Sequence, residues 1–324
     1  MIFVGKNGKA ASVSAVKVGD GNGKAQNVVG GWFGDENGKA RRIWSLDRPM
    51  WKFTCQNGVN LHVSGSGLAI DYGDGSGENI GTQTSPYHIS HAYADEEPHQ
   101  VTLYGVLSHV RFWNDDAESA KNYLLSVDTP FPRNRIAYVT GIFVNCTSLS
   151  SIPSGLFDNC PNVTSFRSTF HNCTSLAVIP AGLFDNCTAV TDFGYTFIGC
   201  TRLSDIPDGL FDNCPNVTDF IKIFDGCTSL SSIPSGLFDN CPNVTSFNSA
   251  FRGCTSLSSI PYGLFDNCPN VTSFRSTFHN CTAISSVVPE LWDTAKWPNV
   301  SLHENCFQNC TNAANYADIP AGWK

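Results

Sequence analysis

Eleven cysteines between Cys146 and Cys281 recur at alternating steps of 14 and 13 residues, and the 324-residue chain holds fourteen in all. Thiols at this density suggest disulfides, metal ligation, a nucleophile or small apolar core residues. Cys306 and Cys310 form the one close pair, with no histidine cluster beside them, so zinc is disfavoured. A nucleophile needs one unique position, whereas eleven of these cysteines are equivalent by repetition. Neighbours in a column one coil apart would be near enough to bridge, yet pairing two by two would break the equivalence of the copies. Buried free thiols are the preferred reading. His88 and His91 have no serine, cysteine or third ligand in a recognisable relation, and read as structural or surface residues. Asp71, Asp74 and Glu78 offer calcium chemistry, but their spacing is not that of an EF-hand, and a tight turn explains the Asp and Gly residues equally. The Asn-x-Thr sequons, such as Asn162-Val-Thr164, are generated by the repeat itself. No cofactor and no metal is expected.

The element that positions these residues is a 27-residue unit, present in five tandem copies over residues 146–281. Such a fixed period predicts a solenoid, in which each unit stacks only on its neighbours. Each copy has two echoing halves. One carries Cys146, Leu149, Ile152, Pro153, Leu156 and Phe157, the other Cys160, Val163, Phe166 and Phe170. Neither half sustains a helical period, so short strands are expected at 149–152 and 163–166, bent at Pro153-x-Gly155 and Pro161-Asn162. Three phenylalanine columns follow, starting at Phe157, Phe166 and Phe170. Coils at strand spacing would lie about 4.8 Å apart.

The run L-x-x-I-P-x-G-L-F-x-x-C resembles leucine-rich repeats of the BspA-like kind, found on bacterial surface proteins and in phage-encoded proteins. The resemblance covers about half the chain. It departs from the usual consensus in its second cysteine and second strand-like half, so the usual horseshoe curvature is not implied.

Outside the array, residues 1–48 carry a shorter repeat. Asn-Gly-Lys-Ala stands at 7–10, 22–25 and 37–40, and Asn-Gly favours a two-residue hairpin turn. Three small hairpins are expected, with too little apolar surface to stand alone. The segment resembles short repeats of bacteriophage tail proteins, which implies attachment to other virion proteins or protomers. Residues 49–113 read as a separate β-domain with strands at 51–54, 60–63, 68–72, 101–104 and 109–113. Its Ile70-Asp71-Tyr72-Gly73-Asp74-Gly75 run, with His91-Ala92-Tyr93, is similar to the PKD-type immunoglobulin-like sandwich. Residues 114–145 read as a linker and degenerate first coil, and 282–324 as a C-terminal cap in which Trp297 replaces a column cysteine. The fold class is therefore mainly β, a leucine-rich-repeat-type solenoid preceded by an Ig/PKD-like sandwich and a hairpin segment.

Formal net charge is −8. An acidic main body repels phosphate backbones and argues against nucleic acid as partner. No run of 18 apolar residues exists, so no membrane insertion is expected.

Comparing the copies separates what the fold dictates from what it leaves free. The sets 167/194/221/248/275, 168/195/222/249/276 and 171/198/225/252/279 vary, and each recurs once per coil as a stripe. Drift at exposed sites is one explanation. The other is a contact surface, with Arg167, Tyr195, Lys222, Asn248, Arg252, Tyr262 and Arg275 as contacts. The leading functional reading is a non-enzymatic phage tail-fibre protein recognising a bacterial surface glycan or protein. The alternatives are a BspA-like bacterial cell-surface adhesin and a structural spacer. An enzyme acting on polysaccharide would need paired carboxylates about 5–9.5 Å apart, and the acidic residues here are borne by repeats or turns.

Overall fold

A computed structural model describes residues 50–112, 123–132, 136 and 138–324, with four short strands nearer the N-terminus. Those four pair in two antiparallel hairpins, β1 (Lys17–Gly19) with β2 (Ala25–Asn27) and β3 (Gly31–Gly34) with β4 (Ala40–Ile43). Their last described rungs are Gly19↔Ala25 and Gly34↔Ala40, and the Asn-Gly turns expected at 22–23 and 37–38 lie outside the described residues. The first Asn-Gly-Lys-Ala copy lies outside the described residues.

Five further strands follow: β5 (Met50–Cys55), β6 (Gly58–Asp71), β7 (Gly77–Ala92), β8 (His99–Arg111) and β9 (Leu124–Val127). Where the sequence suggests a two-layer sandwich, hydrogen bonding joins them into one antiparallel sheet, in the order β7-β6-β8-β5-β9. Glycines that read as breaks are bulges inside long strands. A Cβ on Gly65 would collide with the Val106 carbonyl oxygen, so the two backbones meet there only because glycine has none. Strand β7 escapes sequence reading because it is an edge strand, polar and interrupted by Pro86, with only Ile80 and Ile89 buried.

In the repeat region the expected strands at 149–152 and 163–166 are absent as strands. The backbone instead turns every three or four residues, as when the Cys146, Leu149, Cys160 and Val163 amides each donate to the carbonyl three residues earlier. Three positions per coil take a left-handed backbone, which breaks any extended run. Between coils, alternate amides donate to the next coil: Phe166 to Asp192, Ser168 to Gly194, Phe170 to Thr196 and Asn172 to Ile198. Single parallel bridges recur at the same interval, Ser165↔Asp192↔Asp219↔Ser246↔Ser273. Consecutive repeats are thus stacked in parallel with each residue over its equivalent 27 positions away.

The three phenylalanine columns form as the spacing implies. Rings of the Phe170 column lie 5.4–5.7 Å apart, and those of the Phe157 column 5.9–6.2 Å apart. These separations exceed the strand spacing of about 4.8 Å. The columns do not stop at the array. Phe112, at the end of β8, stacks on Phe143, and Trp51 of β5 stacks on Phe131, which meets Phe157. β9 pairs with β5 and also bridges in parallel to Ser151, so sheet and array share one hydrophobic core. At the far end Phe307 stacks on Phe278, and Trp297 replaces a column cysteine by packing edge-on against Phe274.

Candidate binding surface

Thiol chemistry can be weighed first. All fourteen cysteines are buried, and none is in a disulfide. In one column, Cys173, Cys200, Cys227, Cys254, Cys281 and Cys310 donate their S–H to the carbonyl of a phenylalanine in the preceding coil, at 3.0–3.3 Å. Burial pushes the thiols of Cys160, Cys200, Cys214, Cys268 and Cys310 up to about 12. A nucleophile or metal ligand requires the thiolate, which this environment suppresses.

The sheet carries most of the histidines. His88 and His91 are three apart in β7 and so lie on opposite faces. His88 stacks on His62 and bonds Asn60, whereas His91 stacks on Tyr72 and meets the Asp74 carboxylate at 2.8 Å. Asp71 and Asp74 accept the amides of Gly73 and Ser76, and Glu78 accepts the Tyr72 and Tyr87 hydroxyls. These carboxylates fold the β6–β7 turn. Among the described residues, no group of three or more His, Cys, Asp or Glu is placed to hold a metal ion.

The varied stripes converge on a different feature. Each coil has three left-handed positions. One is always glycine (Gly155, Gly182, Gly209, Gly236, Gly263), and another is asparagine or glycine (Asn145, Asn172, Gly199, Gly226, Gly253, Asn280). These residue types tolerate positive φ. The third position reads Gly141, Ser168, Tyr195, Lys222, Ser249, Ser276 and Asn305 along the array. Tyr195 (φ 63°) and Lys222 (φ 55°) therefore hold long side chains on a backbone that disfavours them by about 1–2 kcal/mol.

Around Tyr195 the stripes form a connected patch. The Arg167 guanidinium lies 4.4 Å from its ring centre, and Lys222 Nζ lies 5.5 Å from it, one cation from each adjacent coil. Arg167 also reaches Asp192 at 3.7 Å, and one coil further Arg252 reaches Asp225 at 3.8 Å. Of the residues singled out from sequence, Arg167, Tyr195, Lys222 and Arg252 are thus brought into one patch. Asn248 lies in the next coil, with its amide bonded to Ser246 Oγ, and Arg275 lies one coil beyond. Tyr262 is elsewhere, in the proline turn of the last regular coil. Sequence reasoning missed Asp192 and Asp219, and placed Asp225 in a varied stripe without reading it as a contact. The signal was present, since Asp192 and Asp219 replace the serine of Thr-Ser-Phe in the very copies that carry Tyr195 and Lys222.

The patch has an acidic floor. Burial raises the Asp219 carboxyl, and Asp192 adds to this, while the Ile221 amide at 2.6 Å and Arg167 oppose it. Burial likewise raises Asp225, against Arg252 and Lys222. A carboxyl raised on folding binds its proton more tightly in the native state. Stability is therefore expected to fall as pH rises from about 4 through these raised values. Asp219→Asn keeps the acceptor for Ile221 but removes the charge. Its melting temperature should exceed that of the parent chain at neutral pH, and its fall between acid and neutral pH should be shallower. Thermal melts across that range check this, and an unchanged slope would mean Asp219 is well solvated.

Residues 150–314 match the family described as "BspA type Leucine rich repeat region", in six copies. No functionally curated protein matches. Among solved structures, a leucine rich cell surface protein from Faecalibacterium prausnitzii is 20% identical, covering 53% of this chain and 66% of that one, with a TM-score of 0.20. A TLR13–ssRNA13 complex is 11% identical, covering 52% of this chain and 34% of that one, also at 0.20. This chain thus spans less than two thirds of either neighbour. No helix among the described residues is long and apolar enough to cross a membrane.

Proposed function

Because the chain belongs to the BspA-type leucine-rich repeat family, we propose that it is a non-enzymatic binding protein of a cell surface, an adhesin whose repeat face holds a partner. The partner is a surface protein or glycan, met by the patch of Arg167, Tyr195, Lys222 and Arg252. The observation that carries this reading is the placement of Tyr195 and Lys222 on left-handed backbone. The other two left-handed columns use glycine or asparagine, whereas every regular coil of this one carries a Cβ, with tyrosine and lysine standing among the small Ser168, Ser249 and Ser276. Side chains kept at a conformational cost, beside cations supplied by both neighbouring coils, are better explained by contact than by drift. Tyrosine and arginine are also the residue types that dominate binding energy at protein interfaces.

The buried, protonated thiols and the turn-folding carboxylates favour binding over catalysis. The tail-fibre reading gains no support from the comparisons, so the cell-surface reading is set ahead of it. The structure's solenoid-like stacking suits either role, since it presents one face over many coils.

The experiment is binding of the labelled chain to a panel of intact bacterial strains, beside a Tyr195→Ala/Lys222→Ala variant. Both substitutions replace partly exposed side chains on a face built by main-chain bonds, so folding should persist. Strain-selective binding that drops at least about tenfold in the variant supports the reading. No binding to any strain, or equal binding by the variant, would leave the array as a structural spacer.

A further inference from the structure

Between the last regular coil and the cap, the stack opens. Each regular coil takes 14 residues from its first cysteine to its second, but the next takes 16, from Cys281 to Trp297. It also lacks the glycine that follows proline in the other copies, reading Pro289-Glu290-Leu291 against Pro261-Tyr262-Gly263. The inter-coil ladder records the slip: Phe274 donates to Leu302, 28 residues on, where Phe247 donates to Ser273, 26 on. The two arcs cannot nest, and a cleft of about 500 Å³ separates residues 260–266 from 287–297. That volume lies in the range of small-molecule sites, roughly 300–1,000 Å³.

A second, independent departure sits at the same place. Tyr262 is 93% exposed at the rim, where the other coils carry Ser154, Ala181, Asp208 and Ser235. No core requirement accounts for a tyrosine here. The floor is apolar, from Leu264, Phe265, Val288 and Leu291, all buried. Lys296 Nζ bonds Asp266 at 2.7 Å and lies 5.8 Å from the Tyr262 ring centre. Glu290 and Asp293 complete the polar wall.

We propose that this cleft binds a neutral pyranose residue of a glycan. One face of a pyranose is a sheet of C–H groups, which packs against the electron-rich face of an uncovered aromatic ring such as Tyr262. Its hydroxyls both donate and accept, and so can satisfy carboxylates and an ammonium together, as Asp266, Glu290 and Lys296 present them. Three carboxylates against one lysine disfavour an anionic sugar. The site is separate from the Tyr195 patch and stands or falls without it.

The test is saturation-transfer NMR on the full chain with glucose, galactose, mannose, N-acetylglucosamine and, as an anionic comparison, N-acetylneuraminic acid. At least one neutral sugar should receive saturation, strongest at its ring C–H protons. Tyr262→Ser should weaken that binding about tenfold or more with no loss of melting temperature, since serine already fills this position in two coils. Tyr195→Ala should leave it unchanged, which separates this site from the adhesin patch. Saturation of none of the neutral sugars, equal binding by Tyr262→Ser, or preference for N-acetylneuraminic acid would overturn the proposal.

Discussion

Phe220→Ala is expected to destabilise the protein by about 3–5 kcal/mol. Phe220 is fully buried in the central coil, with ring centres of Phe211 and Phe238 at 4.8 and 4.9 Å and those of Phe193 and Phe247 both at 5.9 Å. Truncation removes the transfer energy of the ring and leaves a cavity among four other rings. The Phe220 amide meanwhile donates to Ser246 in the inter-coil ladder and its carbonyl accepts from Ile223 in its own turn, so the backbone cannot collapse to fill it. The measurement is guanidinium unfolding followed by tryptophan fluorescence, which samples Trp51 at one end of the core and Trp297 and Trp323 at the other. Because stability in a repeat array is shared between neighbours, the variant should also separate the two ends into distinct transitions. A loss below about 1 kcal/mol would mean that the coils do not share a close-packed core.

The second large effect concerns the thiols. In the native protein at mildly alkaline pH, a disulfide reagent such as Ellman's should find almost none of the fourteen cysteines, and in concentrated guanidinium all of them. Two factors multiply. Access is blocked, since every thiol is buried. A shift of the Cys200 thiol from 9.0 to about 12 also lowers its thiolate fraction about a thousandfold. Native reaction should therefore proceed only through opening of coils, and its rate would report that opening. Rapid reaction of several equivalents without denaturant would contradict the burial described above. Fewer than fourteen equivalents after unfolding under non-reducing conditions would reveal bridges.

The array was legible in the sequence because its period is strict: the register of the cysteines and the three phenylalanine columns needed only counting. Its backbone was not. Leu149–Ile152 and Val163–Phe166 have strand-like composition, but left-handed residues at Gly155, Ser168 and Asn172 turn the chain before any strand can extend. That conformation is invisible when the position holds serine, tyrosine or lysine. The sheet misled in the opposite way: Gly65, Gly67 and Gly105 suggest loops, yet they serve close backbone approach within β6 and β8. Of the proposed binding patch, Arg167, Tyr195, Lys222 and Arg252 stand out by variation among copies. The carboxylates that pair with them were not: Asp192 looks like serine-to-aspartate surface drift, and Asp225 like one state of a freely varying position, until the neighbour one coil away is known.

The inter-coil ladder has a consequence for how such a protein changes over time. Every regular coil offers its neighbours the same main-chain rungs and the same ring and thiol columns, so any coil fits above or below any other. Loss or duplication of one 27-residue block by recombination within the gene would rejoin matching surfaces and leave both end structures intact. The chain can thus vary its length like a ruler cut at its marks. A coil bearing Tyr195 or Lys222 can likewise be moved, copied or exchanged for a serine-bearing one, resetting the proposed recognition face without any need to redesign the core.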